Sequence, residues 1–213
     1  MNVSSELWLI AGPNGAGKTT LSQRGPFSKT LNECVFLNAD DQTLQQIRQL
    51  GFDGFHDVPT AILEANFRMA ADTVFDELVE RLNGGQAVCI ETVLSTEKFK
   101  PVVEELRNSG GHFAMIYVGL RSPEVSAERI AKRVRQGGHD VPADRIAARW
   151  KRSIELLPWF AERANELFVY DNSSSDRNRH VLIATGDEGR ITFHDRNAIP
   201  EITNALAHLE AKD

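Results

Sequence analysis

An α/β fold is predicted here, with a mainly parallel five-stranded sheet flanked by helices, a helical lid and a short C-terminal β-hairpin. Three observations predict it. Short apolar runs alternate with longer amphipathic stretches, the pattern of parallel strands joined by helical crossovers. A glycine-rich GxxxxGK(S/T) string follows the first apolar run directly. Polar residues stand just past the other runs, where open parallel sheets bind ligands.

The first strand covers about residues 6–11 (ELWLIA), followed by Gly12, Pro13, Asn14, Gly15, Ala16, Gly17, Lys18, Thr19 and Thr20. This is the spacing of a phosphate-binding P-loop. Its glycines let backbone N–H groups turn inward around phosphates, Lys18 reaches the outer two phosphates, and the Thr19 hydroxyl is placed to hold Mg²⁺. A helix over 18–24 adds its positive dipole end and stops at Gly25-Pro26. A P-loop NTPase that binds a nucleoside triphosphate is therefore expected.

The second strand, 34–38 (CVFLN), leads to helices over 41–50 and 59–82. Leu82-Asn83-Gly84-Gly85-Gln86 is similar to the LSGGQ signature of ABC transporter ATPases, but it runs straight into a strand and reads as a glycine turn ending a helix. The third strand is 86–91 (QAVCIE), followed by a helix over 97–108 and a fourth strand over 112–119 (HFAMIYVG). Ser122 as N-cap and Pro123 at the first helical position start a helix over 123–136. Helices over 142–157 and 159–166 precede the fifth strand, 167–171 (LFVYD). Residues 172–179, rich in Ser, Asn and Asp, read as a loop. A hairpin over 180–185 and 190–194 and a helix over 199–211 complete a single domain, residues 1–213, with the lid over about 123–157 and the C-terminal hairpin and helix over about 178–213. The sequence reads without internal repeats.

Composition narrows the function. With 213 residues, 41% of them hydrophobic, the chain can bury a sizeable core. A net charge of -6 disfavours a duplex nucleic-acid binder, which needs a basic face. No apolar run has the length of a membrane span and the N-terminus lacks signal-peptide features, so a cytoplasmic protein is expected. Cys34 and Cys89 lie in strand-like runs without ligand spacing and read as buried, inert thiols.

The residues past the strand ends suit phosphoryl transfer, which needs a phosphate cradle, Mg²⁺, a group orienting the nucleophile, and arginines. Asp40 can accept the proton of an acceptor hydroxyl; alternatively, Asp40 or Asp41 caps the helix that follows. Glu91 ends an apolar strand, where an unpaired carboxylate is costly, so a metal-bound water, a hydroxyl or a cation must face it. Arg121 and Asp171-Asn172-Ser173 complete the rim. Arg129 and Arg133 share a helix face, as do Arg145, Arg149 and Arg152, and Gln136 to Pro142 between them reads as a hinge that lets arginines close over phosphates. His139 in that hinge contacts phosphate or substrate, or stabilises the turn.

AGPNGAGKTT at 11–20, FLNADD at 36–41, IETVLS at 90–95, ERIAKRVRQGGHDVP at 128–142, RWKRSI at 149–154 and YDNS at 170–173 together resemble the short zeta-toxin-like kinases, over about residues 5–175. The resemblance implies a P-loop kinase acting on a sugar hydroxyl of a nucleotide such as UDP-N-acetylglucosamine, with an antitoxin protein as a partner. It implies Lys18 and Thr19 as ATP·Mg²⁺ residues, Asp40 as catalytic base, Glu91 and Thr92 on the substrate side, and Arg129, Arg133 and Arg149 as lid residues toward ATP. Asp171, Asn172 and Ser173 look like the family's turn after the fifth strand, near the nucleotide base. Ala148 stands where these kinases often carry the first of two arginines. The expected activity is ATP-dependent phosphorylation of a small hydroxylated molecule; an ATP-driven switch acting on a protein, or a nucleic-acid end kinase, are the alternatives.

Overall fold

The computed structural model describes residues 5–174 and 180–211. It contains one seven-stranded sheet: β1 (Glu6–Ala11), β2 (Val35–Leu37), β3 (Ala87–Thr92), β4 (His112–Gly119), β5 (Glu166–Asp171), β6 (Val181–Asp187) and β7 (Arg190–Phe193). Their order across the sheet is β2-β3-β1-β4-β5-β6-β7. The first five strands are parallel, as the alternating pattern predicts. The expected five-stranded count is corrected to seven, because the C-terminal hairpin pairs antiparallel with β5 and extends the same sheet. Of the expected loop over 172–179, residues 175–179 lie outside the described residues.

Among the described residues eight α-helices flank the sheet: α1 (Lys18–Arg24), α2 (Ser28–Asn32), α3 (Ala39–Gln49), α4 (Thr60–Asn83), α5 (Lys100–Asn108), α6 (Pro123–Val134), α7 (Ala143–Arg163) and α8 (Pro200–Leu206). The strand period of two sorts the core into two layers. Leu7, Leu9 and Ala11 of β1 join Phe113, Met115 and Tyr117 of β4 beneath α4, α5, α7 and α8. Trp8 and Ile10 join Ala114, Ile116 and Val118 on the other face, against Leu21 of α1 and Leu31 of α2. With both faces covered, the central strands read as continuous apolar runs.

Two helix expectations are corrected. α3 begins at Ala39 rather than 41, because Asn38 is its N-cap and accepts the Asp40 N–H at 2.9 Å. Neither Asp40 nor Asp41 is the cap. The expected break between 157 and 159 does not occur, and α7 is one helix of 21 residues with Pro158 inside it. Buried Leu157, Phe160 and Ala161 hold this stretch on the core on both sides of the proline, which offsets the lost backbone bond. Trp150 Nε1 donates to the Leu120 carbonyl at 2.9 Å, and Tyr117 and Ser153 share a hydrogen bond of 3.0 Å, so the middle of α7 is fixed to β4.

The LNGGQ segment is a glycine turn, as its lead into a strand predicts: α4 ends at Asn83, and the Gly85 and Gln86 N–H groups donate back to Leu82 and Arg81. Cys89 is buried and Cys34 half-buried in the turn before β2; burial pushes the Cys34 thiol up to about 11 and the Cys89 thiol higher still. Among the described residues no helix is long and apolar enough to cross a membrane.

Candidate active site

Parallel register brings the strand ends to one rim. Ala11, at the end of β1, is level with Thr92 on one side and Tyr117 on the other, and Gly119 is level with Asp171. The loop 12–17 therefore emerges at the centre of the sheet, where neighbouring connections run to opposite faces.

Three outside groups hold the carbonyls of that loop. Ser126 of α6 donates to Asn14 at 2.5 Å, Asn172 Nδ2 after β5 donates to Ala16 at 2.7 Å, and Arg129 donates to Gly15 at 3.3 Å. With carbonyls tied outward, the loop has the form of an anion-binding nest. Asn14, Gly15, Gly17, Lys18, Thr19 and Thr20 line a cleft of about 1170 Å³, while Gly12, Pro13 and Ala16 form the buried back of the loop. Lys18 Nζ folds over it, donating to the Gly12 and Pro13 carbonyls at 2.9 and 3.2 Å. Burial pushes its ammonium below the usual lysine range, against the pull of Glu91 and Asp40.

The carboxylates stand across from this lysine. The Glu91 carboxylate accepts from Thr19 Oγ1 at 2.9 Å and Ser22 Oγ at 3.1 Å. Burial raises its pKa, opposed by Lys18 and by the two hydroxyls. The cost expected for a carboxylate at this strand end is thus met by two hydroxyls and a cation. Asp40, its backbone N–H occupied by Asn38, lies on the cleft wall with its side chain half exposed. Thr92 also lines the cleft, but its Oγ1 accepts the Leu94 N–H at 3.1 Å. Leu94 is buried at φ 57°, a strained conformation for a bulky residue, directly after the site strand.

Arg129, Arg133, Arg145 and Arg149 line the opposite wall, whereas Arg152 is exposed and off it. Burial lowers the pKa of Arg133 and Arg149, and for Arg149 the neighbouring Arg145 and Arg152 act in the same direction. Arg145 pairs with Glu64 at 3.2 Å. Arg121 is exposed and away from the wall, its backbone N–H donating to Ser173 Oγ at 2.8 Å. Asp171 accepts from both the N–H and the hydroxyl of Ser173, closing a local turn, and buried Asn172 braces the P-loop.

One wall of the cleft lies outside the residues that the sequence singles out. One face of α4 forms it, with Thr60, Leu63, Glu64, Phe67, Ala71 and Val74 recurring at helical spacing. A second signal was present. His-Asp-Val-Pro occurs twice, at 56–59 and 139–142, and each copy leads into a helix capped by its proline, α4 and α7. The two loops face each other: His139 is buried against the Phe55 and Phe67 rings, at centroid distances of 5.4 and 5.0 Å.

A mainly parallel sheet with a phosphate loop after β1, a lysine and a hydroxyl at the start of α1, and facing acidic and basic walls define the P-loop NTPase class. The chain belongs to the AAA domain family, whose profile matches residues 7–157. Among solved structures it is similar to an AvrRxo1-ORF1:AvrRxo1-ORF2 complex with ATP, at a TM-score of 0.67 and 13% identity over 98% of this chain and 77% of that one. It is similar to the PezAT chromosomal toxin-antitoxin system of Streptococcus pneumoniae, at 0.62 and 18% over 99% and 80%. A putative kinase from Chloroflexus aurantiacus gives 0.53 and 22% over 70% and 77%. These likenesses show a shared fold. No curated protein matches the chain.

Proposed function

We propose that the protein is a zeta-toxin-like kinase, a phosphotransferase with an alcohol acceptor that moves the ATP γ-phosphoryl group to a hydroxyl of a small molecule in the cytoplasm. A sugar nucleotide such as UDP-N-acetylglucosamine is the acceptor we favour. One observation carries the reading: Lys18, Asp40, Glu91 and the lid arginines Arg129, Arg133 and Arg149 line a single cleft of about 1170 Å³, large enough for a nucleotide and a second ligand side by side.

The assigned roles follow from the chemistry of each group. Residues Gly12 to Thr20 cradle the phosphates, and Lys18 leaves the Gly12 and Pro13 carbonyls to reach the outer two. Arg133, with Arg129 and Arg149, offsets the charge that spreads over the transferring group. Asp40 accepts the acceptor proton. The Thr19 hydroxyl and Glu91 carboxylate are hard oxygen donors, 2.9 Å apart, which fit Mg²⁺ at the phosphates. When bound, Mg²⁺ neutralises charge on the outer phosphate oxygens. Glu91 then acts on the magnesium side as well as beside Thr92 on the acceptor side. An antitoxin protein as a partner is supported by the fold likeness to a toxin-antitoxin system.

The test is incubation with Mg·ATP and a panel of sugar nucleotides and other hydroxylated metabolites, followed by mass spectrometry for a gain of one phosphoryl group. Transfer that is abolished by Lys18→Ala and by Asp40→Asn supports the assignment. ATP hydrolysis stimulated by a protein, with no acceptor phosphorylated, would favour the switch instead.

A further inference from the structure

His139 stands where the lid loop meets the acidic side of the cleft. Its Nε2 lies 3.1 Å from Arg133 NH2, and the same guanidinium nitrogen donates to the His139 carbonyl at 3.0 Å. A guanidinium has donors and no acceptor, so Nε2 must be the accepting nitrogen and the ring proton must sit on Nδ1. Nδ1 faces Asp40, 3.9 Å from Oδ2. That separation is beyond hydrogen-bond length, and hydrogen bonds of this kind commonly tighten when substrates bind.

We propose that His139 is a positioning residue for Asp40: held by Arg133 as the neutral Nδ1–H tautomer, it donates to Oδ2 when the cleft closes and turns the other carboxylate oxygen toward the acceptor. The inference rests on Asp40 being the base of the proposed kinase. It gives Arg133 two linked tasks, because the arginine that faces phosphate also fixes the ring that orients the base. Burial among Phe55 and Phe67 keeps the imidazole neutral, so that it donates one hydrogen bond without adding a charge beside the arginines.

Two variants separate orientation from packing. His139→Phe keeps a ring between Phe55 and Phe67 but has no donor, whereas His139→Asn places an amide N–H where Nδ1–H stood. The assay is phosphate release from Mg·ATP with water as acceptor. The expected result is a loss of about 10²-fold in kcat for His139→Phe with little change in KM for ATP, and substantial recovery with His139→Asn. In an Asp40→Asn background His139→Phe should have no further effect. Ring ¹⁵N spectra of the unliganded protein at pH 7 should show Nδ1 protonated and Nε2 bare. An Nε2–H ring, or a fully active His139→Phe beside an inactive Asp40→Asn, overturns this inference alone. An active Asp40→Asn overturns the base assignment, and this inference with it.

Discussion

Asn172 donates its Nδ2–H to the Ala16 carbonyl at 2.7 Å, joining the end of β5 to the middle of the P-loop. Asn172 is almost fully buried, so this bond forms away from competing water. Replacing the amide removes a prop beneath the loop and leaves a buried carbonyl short of a donor. Asn172→Ala should lower unfolding free energy by about 1–3 kcal/mol and weaken ATP binding by roughly tenfold. Urea denaturation and nucleotide titration measure the two effects, and unchanged nucleotide affinity would remove Asn172 from the loop's support.

Two glycines should respond oppositely to an added methyl group. At Gly12, φ is +140° and a Cβ would stand 2.2 Å from the Val118 backbone oxygen, so neither the glycine nor its neighbour can yield. Gly12→Ala is expected to cost upwards of about 2 kcal/mol or to prevent soluble expression. At Gly54 a Cβ meets nothing within 4 Å, and φ is outside the left-handed range. Gly54→Ala should be neutral or stabilise by up to about 1 kcal/mol, through the unfolded chain. Melting curves of the pair decide the matter.

Lys18 is held in a place that suits the phosphate contact proposed for it better than it suits the fold. Burial disfavours its charge, and its bonds go to backbone carbonyls of its own loop. Lys18→Met removes a buried ammonium while keeping a stem of similar length. The expected outcome is a melting temperature no lower than the parent's together with loss of ATP turnover. A large drop in melting temperature would mean that the ammonium holds the loop together.

Stability should weaken on mild acidification, through His139. Its pKa is pushed below the usual histidine value by burial, with Asp40 and Asp140 pulling it up and Arg133 and Arg149 pushing it down. The unfolded chain binds the proton first, near its own pKa of about 6.5. The contribution is thus present above that pH and lost as pH falls through the lower folded value. His180, also lowered by burial, acts in the same direction. Urea midpoints should fall from pH 7 to pH 5, and fall less steeply in His139→Phe. Parallel slopes in parent and variant would assign the loss to other groups.

Much of the molecule is legible in the chain, for physical reasons that differ by element. β1 and β4 are buried on both faces, so their apolar runs stand out, and the loop after β1 announces itself by three spaced glycines and a lysine. α2 has five residues, too few for a period to show. Pro158 suggests a break because proline opposes helix locally, yet tertiary packing of Leu157 and Phe160 prevails. Which edge β6 joins depends on contacts remote in sequence. On the cleft wall, the arginines were legible as helix-spaced charges, whereas Phe55 and Phe67 look like ordinary core until the two His-Asp-Val-Pro loops are seen facing each other.

The sheet ends in short strands on both sides, three residues in β2 and four in β7. The outer side of β7 is partly occupied by the chain itself, through the Ile191 to Glu210 bridge and the Ala211 N–H on the Ile191 carbonyl. Long unpaired rims are what let sheet proteins grow onto one another. Here the two edge strands are short and β7 is partly covered by its own chain, so the sheet offers a second chain little rim to extend.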